Sequence, residues 1–223
     1  MSDESFIREV EEELRSDQLQ SFWDRYKYLV IGTAIFIVVA TAGYRYWLYH
    51  TETVAAASGD RFLEAVKLSD EGKIDEAIVA FEKLADDGAG QYPALAKLRL
   101  AGEMSAKGDA QAAIEAYDAI SNDLAFDETL RSIAKLRGGL LLVDHGTPDQ
   151  VADRLQIMTE TGKPFRHLAR EGMGLAAYKS GNFEEALKWF SAIAEDQETP
   201  QSLRQRTQIM LSLLAGKGFA SAN

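Results

Sequence analysis

The sequence predicts an all-α protein: one apolar helix near the amino terminus, an array of about four stacked helical hairpins, and a closing helix. Three observations carry this. A glycine recurs at Gly72, Gly108, Gly146 and Gly181, spaced by 36, 38 and 35 residues. An uncharged run of 16 residues, Leu29 to Tyr44, lies between aromatic flanks. Helical periodicity then continues through the rest of the chain, with no stretch that alternates like a strand. A repeat of this length implies hairpins that each leave an apolar face bare and must stack to bury it.

The 223 residues suffice for one domain and an appendage, and 46% of them are apolar. A formal net charge of −11, from 35 acidic and 24 basic residues, argues against nucleic acid, whose phosphates need clustered Lys and Arg. It favours neutral or basic partners, although solubility alone would explain it equally well. The absence of cysteine excludes disulfides, thiolate metal sites and a Cys nucleophile, and leaves the compartment open.

Residues 1–27 read as an acidic amphipathic helix. Phe6, Val10 and Leu14 recur every four residues among Glu9, Glu11, Glu12, Glu13 and Asp17. Leu19, Phe22, Trp23 and Tyr26 continue the apolar positions. Surface-seeking membrane helices are basic, so this acidity argues against strong lipid binding before Trp23. The segment is either a docking helix for a cytosolic partner or a solvated extension of the apolar helix.

Residues 28–49 are expected to cross a membrane. Spanning takes about 20 residues with Tyr and Trp at the interfaces. The boundary anchors are Tyr26, Lys27 and Tyr28 on one side, and Arg45, Tyr46, Trp47 and Tyr49 on the other, with Arg45 snorkelling to the headgroups. A buried core helix would show a polar stripe, and this run has none. A cleaved signal peptide is the other alternative, with Ala40-Thr41-Ala42 as its site, but signal peptides begin short and basic. Retention is therefore expected. Arg15, Arg25 and Lys27 precede the span and Arg61 lies beyond it, which puts the amino terminus in the cytoplasm.

Residues 50–60 are either a linker or a continuation of the same helix, and their alanines favour helix. Residues 61–215 form the repeat domain. Seven before each turn glycine stands Ala65, Ala101, Gly139 or Gly174; five after it stands Ala77, Ala113, Val151 or Ala186; nine after it stands Phe81, Tyr117, Leu155 or Phe190. The small residue before the turn admits the second helix, the residue at plus five completes the contact, and the large one fills the space beyond. The glycine supplies the left-handed cap of the first helix. The third unit, with Pro148 in its turn and Val151 and Leu155 in its slots, departs from the others. Thr199 as cap and Pro200 at the first helical position open a final helix from Gln201 to Ala215, whose apolar residues are Leu203, Ile209, Met210, Leu213 and Leu214. Residues 216–223 are expected to be disordered.

Nothing points to catalysis. His50, His145 and His167 lack partners at metal-ligand spacing. No phosphate-cradling glycine loop, nucleophile elbow or zinc-protease motif is present. No catalytic, cofactor-binding or metal-binding residue is assigned, and no cofactor, small-molecule substrate or nucleic acid is expected. One pattern suggests binding: eleven residues before each turn glycine stands a base, Arg61, Lys97, Lys135 or Arg170. Stacking would align the four into a ladder beside a groove for acidic peptide segments.

The stretches GKIDEAIVAF (Gly72 to Phe81), GDAQAAIEAY (Gly108 to Tyr117) and GNFEEALKWF (Gly181 to Phe190) resemble the tetratricopeptide repeat, a helical hairpin. The order of segments, the GYRYW of Gly43 to Trp47 and the alanine-rich step after it resemble the ancillary translocon subunit family of Gram-negative bacteria. The opening FIREVEEELRSDQ (Phe6 to Gln18) is similar to its alphaproteobacterial branch. The resemblance implies a non-enzymatic, single-pass inner-membrane protein with a periplasmic repeat domain. Its implied partners are the protein-export channel, a membrane-anchored periplasmic chaperone of the prolyl-isomerase type, and newly exported chains. A scaffold for another envelope assembly, such as division or cell-wall machinery, is the alternative.

Overall fold

The computed structural model describes the backbone of residues 3–219 and the side chains of Trp23 and residues 25–219. Among the described residues the regular structure is all helical: α1 (Asp3–Asp70), α2 (Ile74–Asp87), α3 (Tyr92–Lys107), α4 (Ala110–Asn122), α5 (Glu128–His145), α6 (Pro148–Leu155), α7 (Arg166–Lys179), α8 (Phe183–Glu195) and α9 (Gln201–Gly216), with a 3-10 turn at Gln156–Thr159 after α6. The chain divides into two compact units, Met1–Val54 and Ala55–Asn223.

In the first unit, α1 carries a stretch long and apolar enough to cross a membrane, with a mean hydropathy of 1.6 over its best window. Leu29, Phe36, Val38 and Val39 are 64–71% exposed, so no described residue covers them. The helix bonds its own backbone polar groups, which is what a span needs where water is absent. Residues 50–60 are helical as well. The acidic pattern of residues 1–22 lies on side chains outside the described ones.

In the second unit the end of α1 pairs with α2, α3 with α4, α5 with α6, and α7 with α8, while α9 closes the stack. Four apolar clusters succeed one another along it, and neighbouring hairpins share them: Leu98 and Ala101 of α3 pack with Tyr117 and Ile120 of α4 and Leu130 and Ala134 of α5. Every one of the twelve non-turn repeat positions is buried. The small residue before the turn meets the large residue of the same hairpin directly. A Cβ on Gly139 would stand 2.4 Å from Leu155 Cδ2, and one on Gly174 would stand 3.0 Å from the Phe190 ring. In the third hairpin a branched Leu thus faces a glycine, where in the first Phe81 is paired with Ala65; the small-against-large relation is kept although both residues are smaller.

Three turn glycines are left-handed, with φ of 77° at Gly72, 98° at Gly108 and 80° at Gly181. Gly146 is not. Its φ of −127° and ψ of −165° are extended, and correct the expectation of a left-handed cap there. Thr147 explains the change. It caps α6 by accepting from Gln150 N, while the Gln150 side chain accepts from Thr147 N at 2.9 Å, and Pro148 begins the helix. An extended approach is what such a cap requires. Gly146 is needed instead for space, since a Cβ would meet Leu142 Cδ2 at 2.6 Å. The second helix of this hairpin is also short, ending at Leu155 before the 3-10 turn.

The closing helix differs from expectation at both ends. Pro200 is the cap residue and makes no side-chain capping bond. Thr199 instead turns inward, its hydroxyl donating to the Ile193 carbonyl at 2.7 Å. Leu203 and Leu214 are buried, but Ile209 and Leu213 are 61% and 48% exposed. After α9 the chain is ordered through Phe219, not disordered from Gly216: Gly218 adopts φ 89°, and the Phe219 ring centroid lies 5.5 Å from that of Phe183. Gly218 N bonds Ala215 O and Phe219 N bonds Leu214 O, the same pair of bonds made around Gly72, Gly108 and Gly181. Gly218, 37 residues after Gly181, is therefore a fifth turn glycine, which the slot pattern does not include. Leu211, in place of a small residue, stands seven before it.

Gly139→Ala is expected to cost about 1–3 kcal/mol, because Leu155 Cγ as well as its tip lies in the way. Gly139→Ala with Leu155→Val should recover part of the loss. Urea denaturation of the three proteins checks this; an unchanged midpoint for Gly139→Ala would contradict the close approach.

Candidate functional site

The bases eleven residues before the turn glycines do not form a free ladder. Fifteen residues after the glycine, two hairpins carry an acid that pairs with their own base. Arg61 bonds Asp87 across the open end of the first hairpin. Arg170 Nη1 stands 3.1 Å from Asp196 Oδ2 in the fourth. Each pair ties the first helix of a hairpin, eleven residues before its turn glycine, to the end of the second helix. This corrects Arg170 as a groove cation: it is 9% exposed, and it donates also to Thr159 O at 2.9 Å and Ala192 O at 3.3 Å. The third hairpin has Thr161 at the acid's place, so Arg170 reaches back from the fourth hairpin to hold its 3-10 turn.

Asp196 is the hub of this end of the domain. Arg166 Nε donates to it at 3.0 Å, Glu198 N donates at 3.0 Å, and His167 Nε2 comes within 3.0 Å but off the line of a hydrogen bond. The Arg166 hydrogen bond is the main cause that holds the Asp196 carboxyl well below the ordinary range, against the desolvation that would raise it. Arg166 also pairs with Glu198.

A second set of polar contacts joins successive hairpins. Lys107 meets Asp75, Arg154 meets Asp118, Lys179 meets Asp144 and Arg206 meets Glu171. Ser69 donates to the buried Glu103 at 2.7 Å. Most of these are exposed pairs, each contributing up to about 1 kcal/mol, so they set register more than stability.

The second hairpin is unclasped. Its base Lys97 and acid Asp123 flank an apolar cleft of about 240 Å³ lined by Leu100, Ala116, Ala119, Ile120 and Phe126. Lys97 lies over the Phe126 ring, 5.4 Å from its centroid, and Asp123 accepts from Ala125 N at 2.9 Å. Lys135 of the third hairpin is half-buried and makes no ion pair among the described residues. Two further clefts sit beside the short α6. One, of about 200 Å³, lies at the Gly146 turn and the other, of about 300 Å³, runs between α6 and α8 over Met173 and Ala176. A 26-residue spacing from base to acid occurs in three hairpins, Arg61 to Asp87, Lys97 to Asp123 and Arg170 to Asp196, and only the first and last of these close as ion pairs.

Around the span, the boundary aromatics are exposed, with Tyr28, Tyr46 and Tyr49 at 70–78%. Tyr46 stacks on His50 at 6.4 Å between centroids, and Lys27 lies over Tyr28 at 5.6 Å. Such rings present an apolar body and a polar tip, as an interface requires. No group of three or more His, Asp or Glu that could hold a metal ion occurs among the described residues.

Residues 20–216 match the tetratricopeptide repeat-like domain family. The chain is also 28% identical over 207 residues to the ancillary SecYEG translocon subunit of Escherichia coli strain K12, covering 91% of this chain and 98% of that protein. With the family match running from before the apolar stretch to the end of α9, the chain belongs to the tetratricopeptide repeat-like domain family.

Asp196→Asn is expected to lower stability at neutral pH by about 1–3 kcal/mol, the range for hydrogen bonds to a charged group. The folded carboxyl titrates below its unfolded value, so its contribution is full above about pH 4 and is lost as pH falls through the folded value. Wild type and variant should therefore converge on acidification. Thermal melting at several pH values tests this; a constant gap down to the lowest pH would contradict the hub.

Proposed function

We propose that this tetratricopeptide repeat-like protein is a non-enzymatic, membrane-tethered adaptor that works beside the protein-export channel. The observation that carries the reading is the extent of the likeness to the ancillary translocon subunit, which covers 91% of this chain and 98% of that protein, together with a family match over residues 20–216 that includes the apolar stretch as well as the hairpins. A likeness confined to the hairpins would support only a generic binding array.

The physical design suits that role. Residues 28–49 hold the protein in an inner membrane, with the acidic amino-terminal segment in the cytoplasm and residues 61–215 in the periplasm. The excess of Lys and Arg before the span supports this orientation. A tether converts binding of an emerging chain into a local event, so a groove of modest intrinsic affinity is occupied at high effective concentration. Stacked hairpins offer a long, continuous surface for such segments and need no catalytic group. Partners of this kind are the export channel itself, exported chains, and a periplasmic chaperone of the prolyl-isomerase type.

Purification of the full chain in mild detergent is expected to bring channel subunits with it. Replacing residues 28–49 by a cleavable signal sequence should release the repeat domain and reduce channel recovery about tenfold or more, through loss of the local concentration. Equal recovery of the channel with and without the span would contradict the tethered reading.

Protease added to spheroplasts is expected to remove the repeat domain and leave a tag at the amino terminus protected. The reverse pattern would overturn the orientation.

A further inference from the structure

The second hairpin carries its base and acid 26 residues apart, as the first and fourth do, but the two do not close. Lys97 and Asp123 both line the apolar cleft of about 240 Å³, along with Leu100, Ala116, Ala119, Ile120 and Phe126. Both are exposed, and neither makes an ion pair among the described residues. Asp123 Oδ1 accepts only from the Ala125 amide at 2.9 Å, and Lys97 lies over the Phe126 ring. A cation and an anion thus stand at one opening, each without a countercharge in its own chain.

Leu124 belongs to the same opening. Phe126 N bonds Asp123 O at 3.2 Å, which closes a four-residue turn. Both ends of that turn line the cleft, and Leu124 sits between them without lining it. At 82% exposed it is more open to water than any other large apolar side chain among the described residues. The turn therefore holds an apolar side chain in solvent at the edge of an apolar hollow that it does not fill, and its transfer from water is still to be gained.

We infer that this patch is a contact between two copies of the chain. In a two-fold contact one surface serves both sides, so it must carry a projection and a hollow, and both signs of charge. One turn and one cleft hold all four here. Leu124 of each copy enters the cleft of the other, and Lys97 of each meets Asp123 of the other. The pair that closes within the first and fourth hairpins closes between chains in the second. An unrelated partner would have to supply the same four features, whereas a second copy supplies them by symmetry. Two chains of net charge −11 repel, and the patch is small, so the contact is weak in dilute solution. Tethering in a shared membrane raises the local concentration and favours it. The inference goes beyond the adaptor reading and does not need the export channel.

The test uses the full chain in mild detergent, with self-association measured by sedimentation equilibrium. Leu124→Ser removes an exposed side chain, so melting should be unaltered while association weakens about tenfold or more. Lys97→Asp and Asp123→Lys should each weaken association about tenfold, by setting like charges face to face. A mixture of those two variants should associate as tightly as wild type, because both contacts between unlike chains are then attractive. A charge pair within one chain cannot produce that rescue. The chain has no cysteine, so introduced thiols report position. In membranes of cells that make both chains, Leu124→Cys should cross-link through a short bismaleimide to Ala119→Cys, and not to Gln205→Cys on α9. Equal cross-linking to both positions overturns the inference, and so does a wild-type chain that is monomeric at every concentration and does not cross-link. Association changed by less than about threefold in both Leu124→Ser and Lys97→Asp overturns it too, and assigns the contact to the span or another face. A mixture of the two charge variants no tighter than either alone is equally fatal. Loss of channel copurification with self-association intact would count against the adaptor reading alone.

Discussion

The repeat domain depends on one steric relation: a small residue on the first helix of a hairpin lies under a large residue on the second. Ala65 under Phe81, Gly139 under Leu155 and Gly174 under Phe190 are versions of it, all buried. The contact sets how closely the two helices approach. That distance fixes where each hairpin's outer apolar face falls, and so whether the next hairpin can cover it. The turn glycines, the polar contacts and the order of the clusters all presuppose it.

Charge then works on two scales. Within the first and fourth hairpins, Arg61 with Asp87 and Arg170 with Asp196 close the end opposite the turn. Between hairpins, pairs such as Arg154 with Asp118 and Arg206 with Glu171 fix the register of neighbours. Where the closing pair is missing, the structure opens. The second hairpin leaves a cleft between Lys97 and Asp123, and the third gives up helix for a 3-10 turn that Arg170 steadies from outside. The least regular part of the array therefore lies in its middle.

The residue slots are legible in the sequence because they repeat. Local rules also reach the all-helical class, the apolar stretch of α1 and the helical runs on either side of each turn glycine. Other features mislead for physical reasons. Gly146 occupies a turn slot like the others, but Thr147, Gln150 and Pro148 form a capping box that demands an extended approach. Thr199 precedes a proline and a helix, which suggests a cap, yet its hydroxyl is buried and bonds Ile193 O. Gly218 escapes the pattern because Leu211, and not a small residue, stands seven before it.

The sequence by itself determined the period, the slots, the apolar helix and the sign of the charge, since these depend only on residue type and spacing along the chain. It could not determine which charges are free. Arg61, Lys97, Lys135 and Arg170 are equivalent by spacing, and in one dimension they form a ladder. In three dimensions two are bound to acids 26 residues on, one lies over an aromatic ring, and one has no ion-pair partner among the described residues. Pairing depends on what the end of the second helix brings back to the base on the first, and only packing fixes that return.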